Sequence, residues 1–270
     1  MADALLDAVR TGVRVYDLSR PYAIGMPQSP NHPVYWHSLP RRHGDKVRED
    51  GGSAANDIIV LGTHVGTHID ALAHVSHEGQ LHGGVDAGDA QVGGRFPVHG
   101  IDQVAPGVFG GILLDVPVAL GLDTCDPGYE ITPADLDAAL ERSGAIPQPG
   151  DILLVRSGWG ARWDEGAAYI GTDSGVPGVG EAGARWLAAH RPRAVGADTI
   201  AFEHLAPGKG HAVLPAHRVL LVEEGINIIE TMNLEEIAAA SLTEFTLALA
   251  PLPLVGATGS PLRPLALTSA

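Results

Sequence analysis

Short apolar runs alternate with amphipathic segments along this chain, and the alternation predicts an α/β fold. Asp57–Leu61 (DIIVL) and Gly111–Val116 (GILLDV) read as short apolar strands. A helix then opens at Thr132-Pro133. Thr132 can cap it, Pro133 suits its first position, and Asp135 sits three residues beyond the cap. Leu136, Ala139 and Leu140 give that helix one apolar face, and Gly144 ends it. Asp151–Arg156 (DILLVR) predicts another strand, and Glu181–His190 a helix with Trp186 and Leu187 turned inward. Ala194–Ala197 follows as a short buried strand, Pro215–Val222 as a helix and Ile226–Glu230 as a strand. Asn233–Ile237 reads as a short helix, and Phe245–Leu249 as a closing strand. No repeat or low-complexity linker interrupts the series. The expectation is one domain over residues 1–270, with a mixed sheet flanked by helices.

Composition narrows the class. A chain of 270 residues can bury about three quarters of its unfolded surface, so its core needs no disulfides. Cys125 is the sole cysteine, which excludes an internal disulfide and calls for no oxidising compartment. The formal charge of −15 would repel nucleic acid and anionic membranes, so neither is an expected partner. The most apolar stretches are broken by Asp115, Pro117, Pro251 and Pro253 and are too short to span a bilayer. The opening MADALLDAVRTGVRV lacks the basic and apolar regions of a secretory signal, so a cytoplasmic location is expected.

The segment THVGTHIDALAH, from Thr63 to His74, carries the chemistry. Read as a strand, it places His64, Gly66, His68 and Asp70 on one face. Thr63, Val65, Thr67 and Ile69 take the other, and all are β-branched, as a strand favours. Gly66 would leave room for an ion between the histidines. Two imidazoles and a carboxylate suit zinc, manganese or ferrous iron. With no sulfur ligand, an open catalytic site fits better than a closed structural one. The plainer alternative is a row of polar residues on an exposed sheet face.

A second cluster lies towards the C-terminus. His217 sits in the last predicted long helix, and Glu230 ends an apolar strand where an unpaired buried carboxylate would be costly. A metal would satisfy it; so would exposure at a strand end. His74, four residues past Asp70, is placed to reach the same cleft as a proton shuttle. A fourth ligand or a hydrogen-bonding neighbour is its other reading. His77, His82 and His211 read as surface or supporting residues. Trp36, Trp159, Trp163 and Trp186 read as core packing, with pocket lining the alternative. Nothing near Cys125 would make it a nucleophile.

The run His64-Val-Gly-Thr-His68-Ile-Asp70-Ala-Leu-Ala-His74 matches the signature HxGTHxDxxxH and resembles the cyclase-like metal hydrolase family, which includes bacterial kynurenine formamidases and isatin hydrolases. Weaker support comes from Asp17-Leu18-Ser19 with Met26-Pro27, from Gly150-Asp151 through Gly158-Trp159, from Gly196-Ala-Asp198-Thr199, and from His217 with Glu230. The resemblance implies a swivelling β/β/α-type fold and a homodimer or higher assembly. It implies that His64, His68 and Asp70 hold one zinc or manganese ion, and that Asp70 can bridge to a second held by His217 and Glu230. His74 would be the acid/base. One departure is Leu72, where formamidase-like members commonly carry proline; it alters the loop to His74 and one pocket wall. The activity implied is hydrolysis of an amide or cyclic amide, such as an N-formyl aryl amide or an isatin-like lactam, by a metal-activated water. A cyclase, dehydratase or isomerase of the same metal class, and a non-catalytic metal-binding protein, are the alternatives.

Overall fold

Nine strands form one mixed sheet in the computed structural model, which describes residues 4–270. In chain order they are β1 (Val13–Asp17), β2 (His68–Asp70), β3 (Gly107–Asp115), β4 (Ile152–Arg156), β5 (Ala194–Ala197), β6 (Asn227–Glu230), β7 (Glu244–Leu249), β8 (Gly259–Pro261) and β9 (Leu265–Ser269). Across the sheet they run β1-β9-β7-β3-β4-β5-β6-β2-β8. β3 to β6 are mutually parallel, while β2 joins β6 antiparallel and β8 joins β2 antiparallel. The α/β class with a mixed sheet is as the alternation predicts.

The parallel strands are buried on both faces, which explains why they read as unbroken apolar runs. Leu153 and Val155 enter one core with Ile112, Leu114, Val195 and Ile228. Ile152 and Leu154 enter the opposite core with Leu113, Ala194 and Ile229. Helix α1 (Pro133–Ser143) covers the first of these faces, together with α2 (Glu181–Ala189), whose Leu187 is fully buried. Helix α1 starts at the predicted capping box, with Thr132 and Asp135 each capping the other's backbone, and stops at Gly144 in the left-handed conformation.

Several boundaries differ from the expectation. The strand read at 57–61 is Asn56–Val60, exposed throughout, and it lies outside the main sheet, paired with the partly exposed Trp36–Arg41 in a two-stranded ribbon. Val116 opens a short helix instead of ending a strand. The helix read at 215–222 is one α-turn, Pro215–His217, continuing as a π-helix, Arg218–Glu223. The short helix after β6 is Glu235–Ala239, two residues later than read. Trp159 and Trp163 are core residues, whereas Trp36 is exposed. No helix among the described residues is long and apolar enough to cross a membrane.

Candidate metal centre

The extended reading of the signature segment holds for three residues only, β2 itself. Upstream the chain bends: Gly66 adopts φ +60°, and its missing side chain is replaced by Tyr22, not by an ion. A Cβ there would lie 2.8 Å from the Tyr22 ring, whose hydroxyl is 2.9 and 2.6 Å from the carbonyl oxygens of Val65 and Thr67. The bend, not strand alternation, brings His64 back over the sheet. There its Nδ1 lies 2.7 Å from Asp70 Oδ1 and its Nε2 2.8 Å from Thr258 Oγ1. The rings of His64 and His74 stack at 3.7 Å.

His68 and Asp70 do share a face of β2, two residues apart, as predicted. Sheet register supplies the next member, because Glu230 on β6 stands directly opposite His68. His68 Nδ1 bonds to the Gly66 carbonyl at 2.8 Å, which leaves Nε2 3.4 Å from both Asp70 Oδ1 and Glu230 Oε2. The helical turn after the loop from β5 adds His217, whose Nε2 is 3.1 Å from Glu230 Oε1 and 3.7 Å from Asp70 Oδ2. These side chains gather where the parallel strand β6 ends and β2, antiparallel to it, begins, beside the turn that carries His217. The carboxyl ends of parallel strands are where ligand sites in α/β sheets collect.

Sequence reasoning missed four supporting residues. Glu203 is fully buried, and its carboxylate accepts from the backbone nitrogens of Ala216 and His217 and faces His217 Nδ1 at 2.8 Å. Thr258 orients His64, and Gly259 lets it in, since a Cβ there would lie 2.5 Å from His64 Cε1. His32 stands above the site, its ring 5.4 Å from that of His64. None of the four stands in a motif that marks it in the sequence. Of the weaker candidates, His77 is exposed, His82 bonds to the Val222 carbonyl outside the site, and His211 is half-buried near Glu230 and His217. Cys125 is buried, and burial pushes its thiol up to about 12, so it is inert.

The electrostatics favour a cation. Burial opposes charge on His217, but the carboxylates of Glu203 and Glu230 outweigh it and carry the imidazole up to about 10. His68 is raised against burial by Asp70 in the same way. Burial works against ionised Asp70 too, yet the imidazoles of His74 and His64 hold it well below the usual carboxylate range. At His74 and His32 burial outweighs the opposing pull of Asp70, lowering the imidazoles to about 3 and about 4. Two buried acceptor atoms, Asp70 Oδ2 and Glu230 Oε1, have no hydrogen-bond partner. Such groups are costly unless something satisfies them. Converging imidazole nitrogens and carboxylate oxygens are the donor set of zinc and manganese, so the residues fit a divalent cation. Atoms close enough to share an ion fall into two overlapping groups, His64–Asp70–His74 and Asp70–His217–Glu230, with Asp70 common to both and His68 in neither.

Residues 16–204 match the family model described as "Putative cyclase". An isatin hydrolase of Roseibium aggregatum is 27% identical over 244 residues, which cover 87% of this chain and 84% of that protein. A kynurenine formamidase of Geobacillus thermodenitrificans is 27% identical over 216 residues, covering 80% of this chain and 81% of that one. The fold superposes on a crystal structure described as "a novel cyclase" with a TM-score of 0.83 and 29% identity, over 98% of this chain and 93% of the other. Isatin hydrolase A from Ralstonia solanacearum, 22% identical, shares the fold at a TM-score of 0.76 over 99% of this chain and 98% of that one.

Proposed function

The chain belongs to the cyclase family, and on that premise we propose that it is a metal-dependent hydrolase of an amide or cyclic amide, with an N-formyl aryl amide or an isatin-like lactam as substrate class. The observation that supports this reading most is the convergence of buried imidazole nitrogens and carboxylate oxygens, with Asp70 Oδ2 left without a hydrogen-bond partner and Glu230 Oε1 facing only His217 Nε2. Relatives that are hydrolases of these two kinds support it.

His64, His68, Asp70, His217 and Glu230 would hold one or two ions of zinc or manganese, with Asp70 placed to serve both. A divalent cation there supplies Lewis acidity, polarising the substrate carbonyl and making a water acidic. The chain's own contribution to proton movement is His74. Its ring makes no hydrogen bond to a carboxylate, so a ring nitrogen is free to take a proton from the attacking water and pass it to the leaving nitrogen. Stacking on His64 fixes the ring's position beside the ligands.

The partner in this reading is a second copy of the chain. Ile58, Ile59 and Val60 on the outlying ribbon are 51%, 57% and 53% exposed, on both of its faces. An apolar groove of about 470 Å³ lined by Tyr22, Tyr35, Ile59 and Leu254 lies beside it. Exposed apolar surface of this kind marks association. Light scattering should find a dimer or larger species that Ile59→Asp dissociates.

The function is tested by supplying zinc or manganese to the purified protein in H2 18O with N-formylkynurenine, formanilide and isatin in turn. Hydrolysis places one solvent oxygen in the acid product. No turnover of any of the three, or a product without solvent oxygen, would overturn the reading.

A further inference from the structure

A cavity of about 400 Å³ opens between the chain around residues 30–31 and the loop of residues 205–212. The polar side chains lining it are Asn31, Thr172, Lys209 and His211, and no carboxylate is among its walls. None of the four side chains makes a hydrogen bond or an ion pair with the described protein. Lys209 is one of two lysines in the sequence. It stands between Gly208 and Gly210, at φ +69° and +49°, so the chain turns sharply on either side of it. The Gly208 nitrogen, bonded to the Thr172 carbonyl at 3.2 Å, ties the loop to the opposite wall.

The cavity adjoins the candidate metal centre. Asn31 is followed by His32, whose ring lies 5.4 Å from that of His64 and 6.4 Å from that of His74. On the other side His211 lies within electrostatic reach of Glu230 and His217. The two compartments are therefore of opposite character. One is rich in carboxylate and takes a cation; its neighbour holds an ammonium and uncommitted donors with no anion to meet them.

We infer that this neighbouring cavity receives an anionic end of the substrate, a carboxylate in chemical class, with Lys209 as its counter-charge and Asn31, Thr172 and His211 as donors. This rests on the hydrolase reading for the placement of the scissile amide at the metal centre. It adds that the preferred amides carry an acid group. Asn31, Thr172 and Lys209 are exposed at the mouth of the cavity, and a charge-assisted hydrogen bond from Lys209 favours an acid-bearing substrate over a neutral analogue.

The test is a calorimetric titration of the purified protein with anthranilate and, separately, aniline, run on wild type, Lys209→Met and Lys209→Arg. Anthranilate should bind the wild type, lose at least about tenfold in affinity in Lys209→Met and recover most of it in Lys209→Arg, a drop in the range of a lost charged hydrogen bond. Aniline should bind far more weakly to all three. Equal anthranilate affinity in wild type and Lys209→Met would mean that the carboxylate sits elsewhere, the metal included, and would overturn the inference. Kinetics separate it from the hydrolase reading. Lys209→Met should raise KM for N-formylkynurenine more than for formanilide; an equal rise for both removes the inference and leaves the hydrolase reading standing. Absence of all turnover removes the hydrolase reading, and the anthranilate titration still decides this one.

Discussion

Glu203 Oε2 lies 2.8 Å from His217 Nδ1 and 3.2 Å from the same residue's backbone nitrogen, so one carboxylate fixes both the ring and the turn that carries it. The effect is to aim Nε2 at Asp70 and Glu230. The chain meets this carboxylate immediately after Phe202, which is held at φ +56°, and Glu230 is followed by Thr231 at φ +57°. Left-handed backbone at bulky residues is costly and collects at functional sites. Replacing Glu203 by Gln should weaken zinc binding by about 10- to 100-fold, the usual effect of losing a partner behind a metal-binding histidine. Competition with a chromophoric chelator measures this, and an unchanged affinity would show that the orientation does not matter.

Cation binding should release protons. His217 and His68 are both raised by the facing carboxylates, His217 to about 10, so at neutral pH His217 is protonated until a cation displaces the proton. The sign follows: affinity for zinc or manganese rises as pH increases towards 10. Calorimetry in buffers of different ionisation enthalpy should report that release, and buffer-independent heats would contradict it.

His74 should be separable from the ligands. It stacks on His64 but carries no hydrogen bond to a carboxylate. His74→Ala should keep the metal and lower kcat by about 10²- to 10⁴-fold, the range for losing a positioned acid/base. Loss of metal in parallel with activity would make His74 a ligand instead.

Gly259 is a steric requirement of the site. Its Ala variant places a Cβ 2.5 Å from His64 Cε1 and must push that ring off Asp70. Gly259→Ala should lower metal content and destabilise the protein by about 1–3 kcal/mol, as overpacking does. Thermal unfolding alongside elemental analysis checks both, and a variant with wild-type metal content would show that His64 is dispensable.

Much of this architecture was legible beforehand because local signals coincide with it. The capping box at Thr132 and Asp135, the αL glycine at Gly144 and the two-sided burial of Ile152–Arg156 are written in residue type and spacing. His68 and Asp70 were readable as neighbours because a strand of three residues suffices to align them. His64 lies beside Asp70, but not by the strand alternation that suggested it. Strand alternation is local, whereas its true position depends on Tyr22 filling the bend at Gly66 and on Thr258 and Gly259 arriving from the far end of the chain. Glu203 was not visible, since the loop that brings it beneath His217 is set by tertiary packing. The strand read at 57–61 is present, but its place outside the main sheet was not legible, because β-branched apolar residues describe a strand without saying which surface covers it.

The central claim is that Asp70 joins the two imidazole–carboxylate groups into a centre for a divalent cation. Elemental analysis of the protein dialysed after loading with zinc or manganese, beside Asp70→Asn treated identically, tests it most directly. The account predicts at least one tightly held divalent ion per chain in the wild type and its loss in the variant. A wild type that retains no ion, or an Asp70→Asn protein that retains as much, would contradict it.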